Sequence, residues 1–388
     1  MNYLAQRRQT LIRNLKKDGV EALLVTGGVN VTYLTGFTGD SSYYVATAKH
    51  SILVSDDRFE AQIREECPEV GKPQGLDLHV RPHHKTTPEA AAEVLVKAGV
   101  KSVGVEGNRL TLAELEALKE LAPKLNFVPI PNLVESLRMV KDPSEIEKIR
   151  EAVRVAERAF RMFSATLRES DTEKDMVDAL ETYVRRSGGR GTAFPPIVAV
   201  GERGALPHAP PTGRQLGDGS KLLIDWGADV LYKSDITRTM RSPFGTAPTR
   251  RNKMERVGYD FDRIYAVVLE AQNAALAAIH HGARAKDVDA AARKVISSAK
   301  FKDDPDLKLG EYFTHGLGHG IGLETHEAPR VRANSDDVLE AGMVITIEPG
   351  VYIPNWGGVR IEDDVLVTRD GYSLLTSLPR ELPSANGG

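Results

Sequence analysis

Thr314-His-Gly-Leu-Gly-His-Gly-Ile-Gly-Leu-Glu-Thr-His-Glu327 is the stretch on which the reading of this chain turns. It holds three of the ten histidines, and four glycines alternate from Gly316 to Gly322. His315 and His319 stand four apart and would share a face on a helical turn. The alternating glycines argue instead for an extended or irregular segment, bare of side chains so that another group can approach the backbone closely. The run fails the G-x-G-x-x-G phosphate pattern, because Ile321 stands where the third glycine belongs, and no P-loop lysine follows. Three imidazoles beside such a segment point to metal or acid–base chemistry. The rest of the chain must supply their partners.

Outward from this stretch, four carboxylates stand inside apolar strand sequence, where a charge is costly. Asp225 follows Leu222-Leu-Ile224, and Asp235 lies in Lys233-Ser-Asp-Ile-Thr-Arg-Thr239. Glu348 follows Val344-Ile-Thr-Ile347, and Glu362 sits in Val359-Arg-Ile-Glu-Asp-Asp-Val365. One such carboxylate alone would read as paired with an arginine or capped by backbone. Four of them converging with His319 would repel one another strongly, and a multivalent cation is the simplest way to hold them. An oxygen-rich set with one imidazole suits Mn²⁺, Co²⁺, Fe²⁺ or Zn²⁺ in a two-metal site better than a cysteine-type zinc site. A calcium loop is disfavoured, since the run from Asp225 lacks the glycine at position six and the glutamate at twelve. A glycosidase carboxylate pair stays open on the carboxylates alone, but it leaves the histidines unexplained.

The remaining sequence frames two domains, as 388 residues is long for one core. Up to about residue 138, helices alternate with short strands (Ala22–Val25, Tyr43–Val45, Ile52–Val54, Asp77–Val80, Val103–Val105, Phe127–Ile130), the pattern of an α/β layer. Asp142-Pro-Ser-Glu145 is a helix start, with Asp as N-cap, Pro in the first turn and Glu three residues on. Apolar residues then recur at three-and-four spacing from Ile146 to Leu167, and Thr172-x-x-Asp175 opens a second helix. Further on, Pro195–Gly201, Lys221–Gly227, Val230–Thr239, Met343–Glu348, Val351–Ile353 and Val359–Val367 read as strands, and 260–280 and 285–299 as helices. A net charge of −3 gives no reason to expect nucleic acid or an anionic membrane as partner. No apolar run reaches the length of a membrane span, and a single cysteine rules out an internal disulfide framework, so a cytoplasmic protein is expected. That cysteine, Cys67, follows Glu65-Glu66, a setting that raises a thiol pKa, and is read as inert.

Ten stretches together carry a family resemblance. They are Tyr33-Leu-Thr-Gly-Phe37, Asp57-Arg-Phe59, Leu137–Arg150, Ile197-Val-Ala-Val-Gly201, Leu206-Pro-His-Ala-Pro-Pro211, Ile224-Asp-Trp-Gly-Ala228, Ser234-Asp-Ile-Thr-Arg-Thr239, His315–Glu327, Thr346–Tyr352 and Gly357–Asp364. In these, and so over most of its length, the chain resembles the pita-bread metallopeptidases, and within them the Xaa-Pro peptidases, aminopeptidase P and prolidase. The resemblance implies an α/β (α+β) architecture, with a creatinase-like N-terminal domain over 1–138 and a pita-bread catalytic domain over 139–388. It implies that Asp225, Asp235, His319, Glu348 and Glu362 ligate two divalent metal ions, Mn²⁺ first, with Co²⁺, Zn²⁺ or Fe²⁺ as alternatives. Glu348 resembles the family's general base. His208, His315 and His326 match histidines that line the pocket, stabilise the oxyanion and shuttle a proton, while Arg360 matches a residue that orients a ligand carboxylate. Tyr352 and Thr237 are weaker candidates for the same support.

The implied reaction is hydrolysis of the bond between an N-terminal residue and proline, on a proline-containing dipeptide or peptide. Homodimers are common in such families. A creatinase-like C–N hydrolase or a non-catalytic binding member of the same fold is the alternative. The chain departs from the family pattern in two places: Asp225 to Asp235 is one residue shorter, with Leu231-Tyr-Lys233 for the usual Gly-Tyr, and Thr249–Phe261 reads as an insertion.

Overall fold

The computed structural model describes residues 2–15, 17, 19–72, 75–244, 259–301 and 305–381. The chain divides into two compact units, Met1–Arg138 and Met139–Gly388. None of the described helices is long and apolar enough to cross a membrane.

The first unit is a six-stranded sheet flanked by helices. Its strands are β1 (Ala22–Val25), β2 (Tyr43–Thr47), β3 (Ser51–Ser55), β4 (Asp77–Val80), β5 (Ser102–Glu106) and β6 (Asn126–Ile130), in the order β4-β3-β2-β1-β5-β6. β1, β5 and β6 run parallel, and β2 is antiparallel to both its neighbours. The helices are α1 (Tyr3–Leu15), α2 (Gly28–Thr35), α3 (Glu60–Glu66), α4 (Thr87–Lys97), α5 (Leu112–Leu121) and α6 (Leu133–Arg138). α2 and α6 are not legible in the local pattern. α2 begins at Gly28 itself, just after the end of β1, and the Glu106 carboxylate accepts the N–H of its N-cap residue Gly27 at 2.8 Å. Cys67 is buried, and burial, with Glu66 beside it, pushes its thiol up to about 12, the inert state expected.

The second unit opens with α7 (Pro143–Thr166) and α8 (Glu173–Arg186). The α7 start is the expected capping box: Asp142 accepts the Ser144 and Glu145 N–H groups, and Glu145 accepts the Asp142 N–H. Asp142→Ala is expected to lower thermal stability by about 1 kcal/mol while leaving metal content unchanged, as calorimetry and metal analysis would read. Both helices cover one face of a three-stranded antiparallel sheet ordered β11-β9-β8, after the short strand β7 (Gly191–Thr192). These strands are β8 (Ile197–Val200), β9 (Lys221–Trp226) and β11 (Ile236–Arg241), with β10 (Ala228–Asp229) between the last two. Trp226 is fully buried there, stacked on Phe160 at 4.4 Å, and its indole N–H donates to the Ala156 carbonyl.

The other half repeats the arrangement. α9 (Phe261–Ala277) and α10 (Ala285–Ser298) share a core with a five-stranded antiparallel sheet and a hairpin. The sheet order is β13-β12-β14-β17-β18, from β12 (Gly318–Gly320), β13 (Glu327–Val331), β14 (Val344–Ile347), β17 (Asp363–Val367) and β18 (Tyr372–Leu374). The hairpin pairs β15 (Gly350–Ile353) with β16 (Gly357–Arg360). Beyond β18 the chain is stapled back. Arg238 of β11 donates to the Leu378 and Pro379 carbonyls, to the Glu362 carbonyl and to the Asp363 carboxylate. Glu157 of α7 accepts from the Ser377 hydroxyl and the Leu378 N–H.

Three expected boundaries are corrected. Val230–Thr239 is not one strand, because the chain turns sharply between β10 and β11. Leu231 holds the left-handed conformation at φ 95°, which costs an L-residue about 1–2 kcal/mol and which a glycine adopts freely. Val359–Val367 is likewise two strands, broken at Ile361-Glu362, where the Glu362 N–H leaves its own sheet to donate to the Thr237 carbonyl. Pro195–Gly201 is a strand only over Ile197–Val200. The expected insertion at 249–261 lies outside the described residues up to 258, and Phe261 begins α9.

Candidate metal centre

Strand alternation aims the site. In β9, Leu222, Ile224 and Trp226 enter the helix-facing core, so Leu223 and Asp225 point the other way. In β14, Ile345 and Ile347 enter the opposite core, which leaves Thr346 and then Glu348 on the inner face. Asp235 and Thr237 lie opposite Ile236 in the same manner. His319 sits in β12 between glycines that let neighbouring backbone close in: a Cβ on Gly318 would lie 1.9 Å from the Thr346 carbonyl, and one on Gly320 2.1 Å from that of Ala328. The alternating glycines of the opening stretch thus mark a tightly packed extended segment.

These residues converge. Ligating atoms of Asp225, Asp235 and Glu362 lie within 4.8 Å of one another, as do those of His319, Glu348 and Glu362, and those of Asp235, His319 and His326. His319 Nε2 stands 3.4 Å from Glu348 and 3.7 Å from Asp235. Its Nδ1 faces the Gly320 carbonyl at 3.1 Å, which fixes the proton there and leaves the Nε2 lone pair aimed into the cluster. Four carboxylates share the space with one guanidinium, Arg360, whose Nη2 bonds Asp225 at 2.6 Å and whose Nε bonds the Thr237 hydroxyl at 2.9 Å. Thr237 in turn donates to Glu362 at 2.6 Å. Arg360 therefore orients two of the four carboxylates, one directly and one through Thr237.

The electrostatics are those of a cation site. Burial, then repulsion from Glu362, Asp225 and Glu348, raises the Asp235 carboxyl well above its ordinary range. Glu362 is raised in the same way by burial, Glu348 and Asp225. Burial, with Asp225 adding and Arg360 opposing, pushes Glu348 up to about 8. His319 is pushed down to about 3 by burial and by His326, so it is neutral, the form that ligates. Asp225 Oδ1 and Asp235 Oδ1 are buried and have no hydrogen-bond partner among the described residues. Buried carboxylate oxygens without donors, amid uncompensated negative charge, fit divalent ions.

The same residues line a cavity of about 650 Å³. His208, His315 and His326 all face it, as do Arg330 and Arg332. The His326 ring meets that of His319 edge-on at 4.3 Å, while His208 is exposed on a loop. His315 is the best anchored. Its Nδ1 faces the Gly316 carbonyl at 2.7 Å, so Nε2 accepts from the Tyr352 hydroxyl at 2.8 Å, and Tyr352 accepts from Arg360 at 2.8 Å. Burial and Arg360 push His315 down to about 4. Asp289 and Arg293 of α10 hold its segment from behind, Arg293 donating to the His315 and Phe313 carbonyls and Asp289 accepting the Leu317 N–H at 3.2 Å.

Two residues escape the sequence reading. Arg330 and Arg332 are exposed, two apart and on the pocket side, and neither side chain has a hydrogen bond or ion pair among the described residues. The available signal was alternation: two arginines in i, i+2 register, directly after the histidine stretch, share one strand face.

Comparison with known proteins agrees with this geometry. The sequence model described as "Metallopeptidase family M24" matches residues 147–369, and that described as "Creatinase/Prolidase N-terminal domain" matches residues 7–140. The chain is 33% identical to the Xaa-Pro dipeptidase of Pyrococcus horikoshii over 385 residues, covering 98% of this chain and 100% of that one. Among solved structures it is similar to an Xaa-Pro dipeptidase from Bacillus anthracis (33% identity, TM-score 0.84, 98% and 99% of the two chains). It is also similar to the X-Pro aminopeptidase from Thermotoga maritima (31% identity, TM-score 0.82, 97% and 99%).

Proposed function

The chain belongs to metallopeptidase family M24, with a creatinase/prolidase-type N-terminal domain, and from that premise we infer that it is a metal-dependent Xaa-Pro peptidase whose preferred substrate is a dipeptide. The observation that carries this is the convergence of Asp225, Asp235, His319, Glu348 and Glu362 on one cavity, with two buried carboxylate oxygens left without donors. The complete ligand set disfavours both a metal-free C–N hydrolase and a non-catalytic binding member. The reading is of a cytoplasmic homodimer, an assembly that light scattering tests.

Two divalent ions held by those five residues, Mn²⁺ first and Co²⁺, Zn²⁺ or Fe²⁺ as alternatives, would lower the pKa of a water and polarise the scissile carbonyl. Glu348 takes the proton of the attacking water as general base. His315, fixed by Tyr352 and held neutral by burial, turns its Nδ1–H edge toward Glu348, 3.9 Å from its carboxylate, as a donor beside the base, and Glu348 itself passes the proton on to the leaving proline nitrogen. His208 and His326 face the same cavity as donors to the oxyanion of the tetrahedral intermediate. Arg360 holds Asp225, and through Thr237 it holds Glu362, so the ligands are in place before substrate arrives.

Arg330 and Arg332 favour the dipeptide. Unpaired cations at the cavity wall suit the free carboxylate of a C-terminal proline, which a longer peptide lacks at that position. The test is release of the N-terminal residue from Xaa-Pro, Xaa-Pro-amide and Xaa-Pro-Yaa with Mn²⁺ or Co²⁺, against an Xaa-Ala control. Xaa-Pro is expected to be cleaved in preference to Xaa-Ala. Arg330→Ala with Arg332→Ala is expected to raise KM for Xaa-Pro by roughly 10- to 100-fold and to leave the amide nearly unaffected. No turnover of any peptide by metal-loaded protein would overturn the peptidase reading. Equal losses on dipeptide and amide would overturn the carboxylate anchor.

A further inference from the structure

His208 is carried on a loop, and one carboxylate outside the cavity holds both ends of that loop. Glu173, the first residue of α8, is fully buried and does not line the cavity. It accepts five hydrogen bonds: from the Val200 N–H at 2.9 Å, from Arg203 Nε on both oxygens at 2.9 Å, and from the Thr212 N–H at 2.9 Å and hydroxyl at 2.6 Å. Val200 ends β8 and Thr212 stands four residues beyond His208. The carboxylate therefore ties together both ends of the 201–211 excursion on which His208 rides.

Several further fastenings of the loop gather near the same point, while Arg214 separately grips the Glu202 carboxylate inside the excursion. Arg203 donates to the Pro210 carbonyl at 2.5 Å, so the Glu173–Arg203 pair reaches inside the excursion as well. The backbone N–H of Glu173 donates to the Arg214 carbonyl at 2.9 Å, and that of Lys174 to the Thr212 carbonyl at 3.2 Å. On the cavity side, Arg360 reaches the Pro207 carbonyl at 3.3 Å, and the Gly204 and Gly358 backbones touch so closely that a Cβ on Gly358 would lie 2.0 Å from the Gly204 oxygen. His208 is thus suspended between Arg360, which also bonds Asp225, and Glu173, which lies outside the cavity and grips the loop at Val200, Arg203 and Thr212.

We propose that Glu173 is a positioning residue: it sets the place of His208 in the cavity, and through His208 the stabilisation of the transition state. The proposal rests on the Xaa-Pro peptidase reading for the role of His208. A carboxylate is needed because four donors point at it, one of them shared between both oxygens, whereas glutamine offers a single acceptor oxygen and turns an amide N–H₂ toward Arg203 or a backbone N–H. Because His208 acts on charge that develops only during reaction, displacing it lowers kcat and leaves KM nearly in place.

The test compares Glu173→Gln, Thr212→Ala, His208→Ala and the Glu173→Gln/His208→Ala double variant, all with metal content measured. Glu173→Gln is expected to lower kcat by roughly 10- to 100-fold with full metal content and KM changed by less than about twofold. The double variant is expected to be no slower than His208→Ala, since Glu173 acts only through that loop. Hydrogen–deuterium exchange should quicken in peptides covering 201–212 and stay unchanged over 315–331. Thr212→Ala, which removes one of the five bonds, moves every readout the same way by less and decides the matter should Glu173→Gln not fold. A wild-type kcat in Glu173→Gln, losses that multiply in the double variant, or unchanged exchange over 201–212 would each overturn the proposal. Should the wild-type chain turn over no proline peptide, the peptidase reading falls by itself. The exchange measurement then still decides the clamp, lost protection upholding it and unchanged protection overturning it.

Discussion

Asp235→Asn is expected to reduce activity on Xaa-Pro by at least about 1,000-fold, to lower metal content, and at the same time to raise the melting temperature of the metal-free protein. The first effect follows from removing a charge that ligating atoms of Asp225, Glu362, His319 and His326 all approach within 4.8 Å. The rise in melting temperature follows from the repulsion already described. Burial and the Glu362, Asp225 and Glu348 carboxylates hold the Asp235 carboxyl far from its ordinary range, so its charge opposes folding whenever no cation compensates it. Asparagine has nearly the same shape without the charge. Activity and metal-free stability therefore move in opposite directions, and calorimetry with chelator beside turnover with metal reads both. A melting temperature that falls in the metal-free variant would mean that the cluster is not electrostatically strained.

Chelation of the wild-type protein is expected to cost stability, and to cost more as pH rises from about 6.5 to 8. The Asp235, Glu348 and Glu362 carboxyls have folded-state pKa values raised above their unfolded values, Glu348 to about 8. Their contribution to metal-free stability is full below the ordinary carboxylate range and is lost as pH climbs through the raised values. The site histidines run the other way: His315 at about 4 and His319 at about 3 are lowered, so their contribution is full above the ordinary histidine value and is lost as pH falls. The two sets oppose each other below about pH 6.5. Above it only the carboxylates titrate, each at up to about 1.4 kcal/mol per pH unit. With metal bound the carboxylates stay ionised and the slope vanishes, while an ion at a thousand times its dissociation constant adds about 4 kcal/mol. Melting curves at pH 6.5, 7.2 and 8, with and without chelator, measure the divergence; parallel curves would contradict it.

Local chemistry made much of this legible in advance. The α7 start could be read because a capping box is complete within four residues, and the four carboxylates of the candidate site because charge inside an apolar strand is anomalous wherever it occurs. What stayed hidden depends on partners far along the chain. Glu173 looks like any acidic residue in a helix's first turn until Val200 and Thr212 are seen to close on it. The break at Ile361-Glu362 is invisible in a run of strand-forming residues, because the N–H of Glu362 answers to Thr237 in another sheet. Arg360 reads as a ligand-orienting residue through the family resemblance. That it also anchors Tyr352, and through it the His315 tautomer, needed the fold.

The staple beyond β18 bears on the order in which the protein can be made. Arg238 lies in the strand that follows Asp235, yet its donors are answered by Asp363, Leu378 and Pro379, and Glu157 of α7 waits for Ser377 and Leu378. During synthesis from the N-terminus, the strand that follows Asp235 leaves the ribosome long before the residues that secure it, and Glu348 and Glu362 of the candidate site also follow later. Until then Asp225 and Asp235 are two acidic side chains of a growing chain with no cage around them. A cage of this kind closes only after the chain through Pro379 has been made, so any metal it takes is taken late.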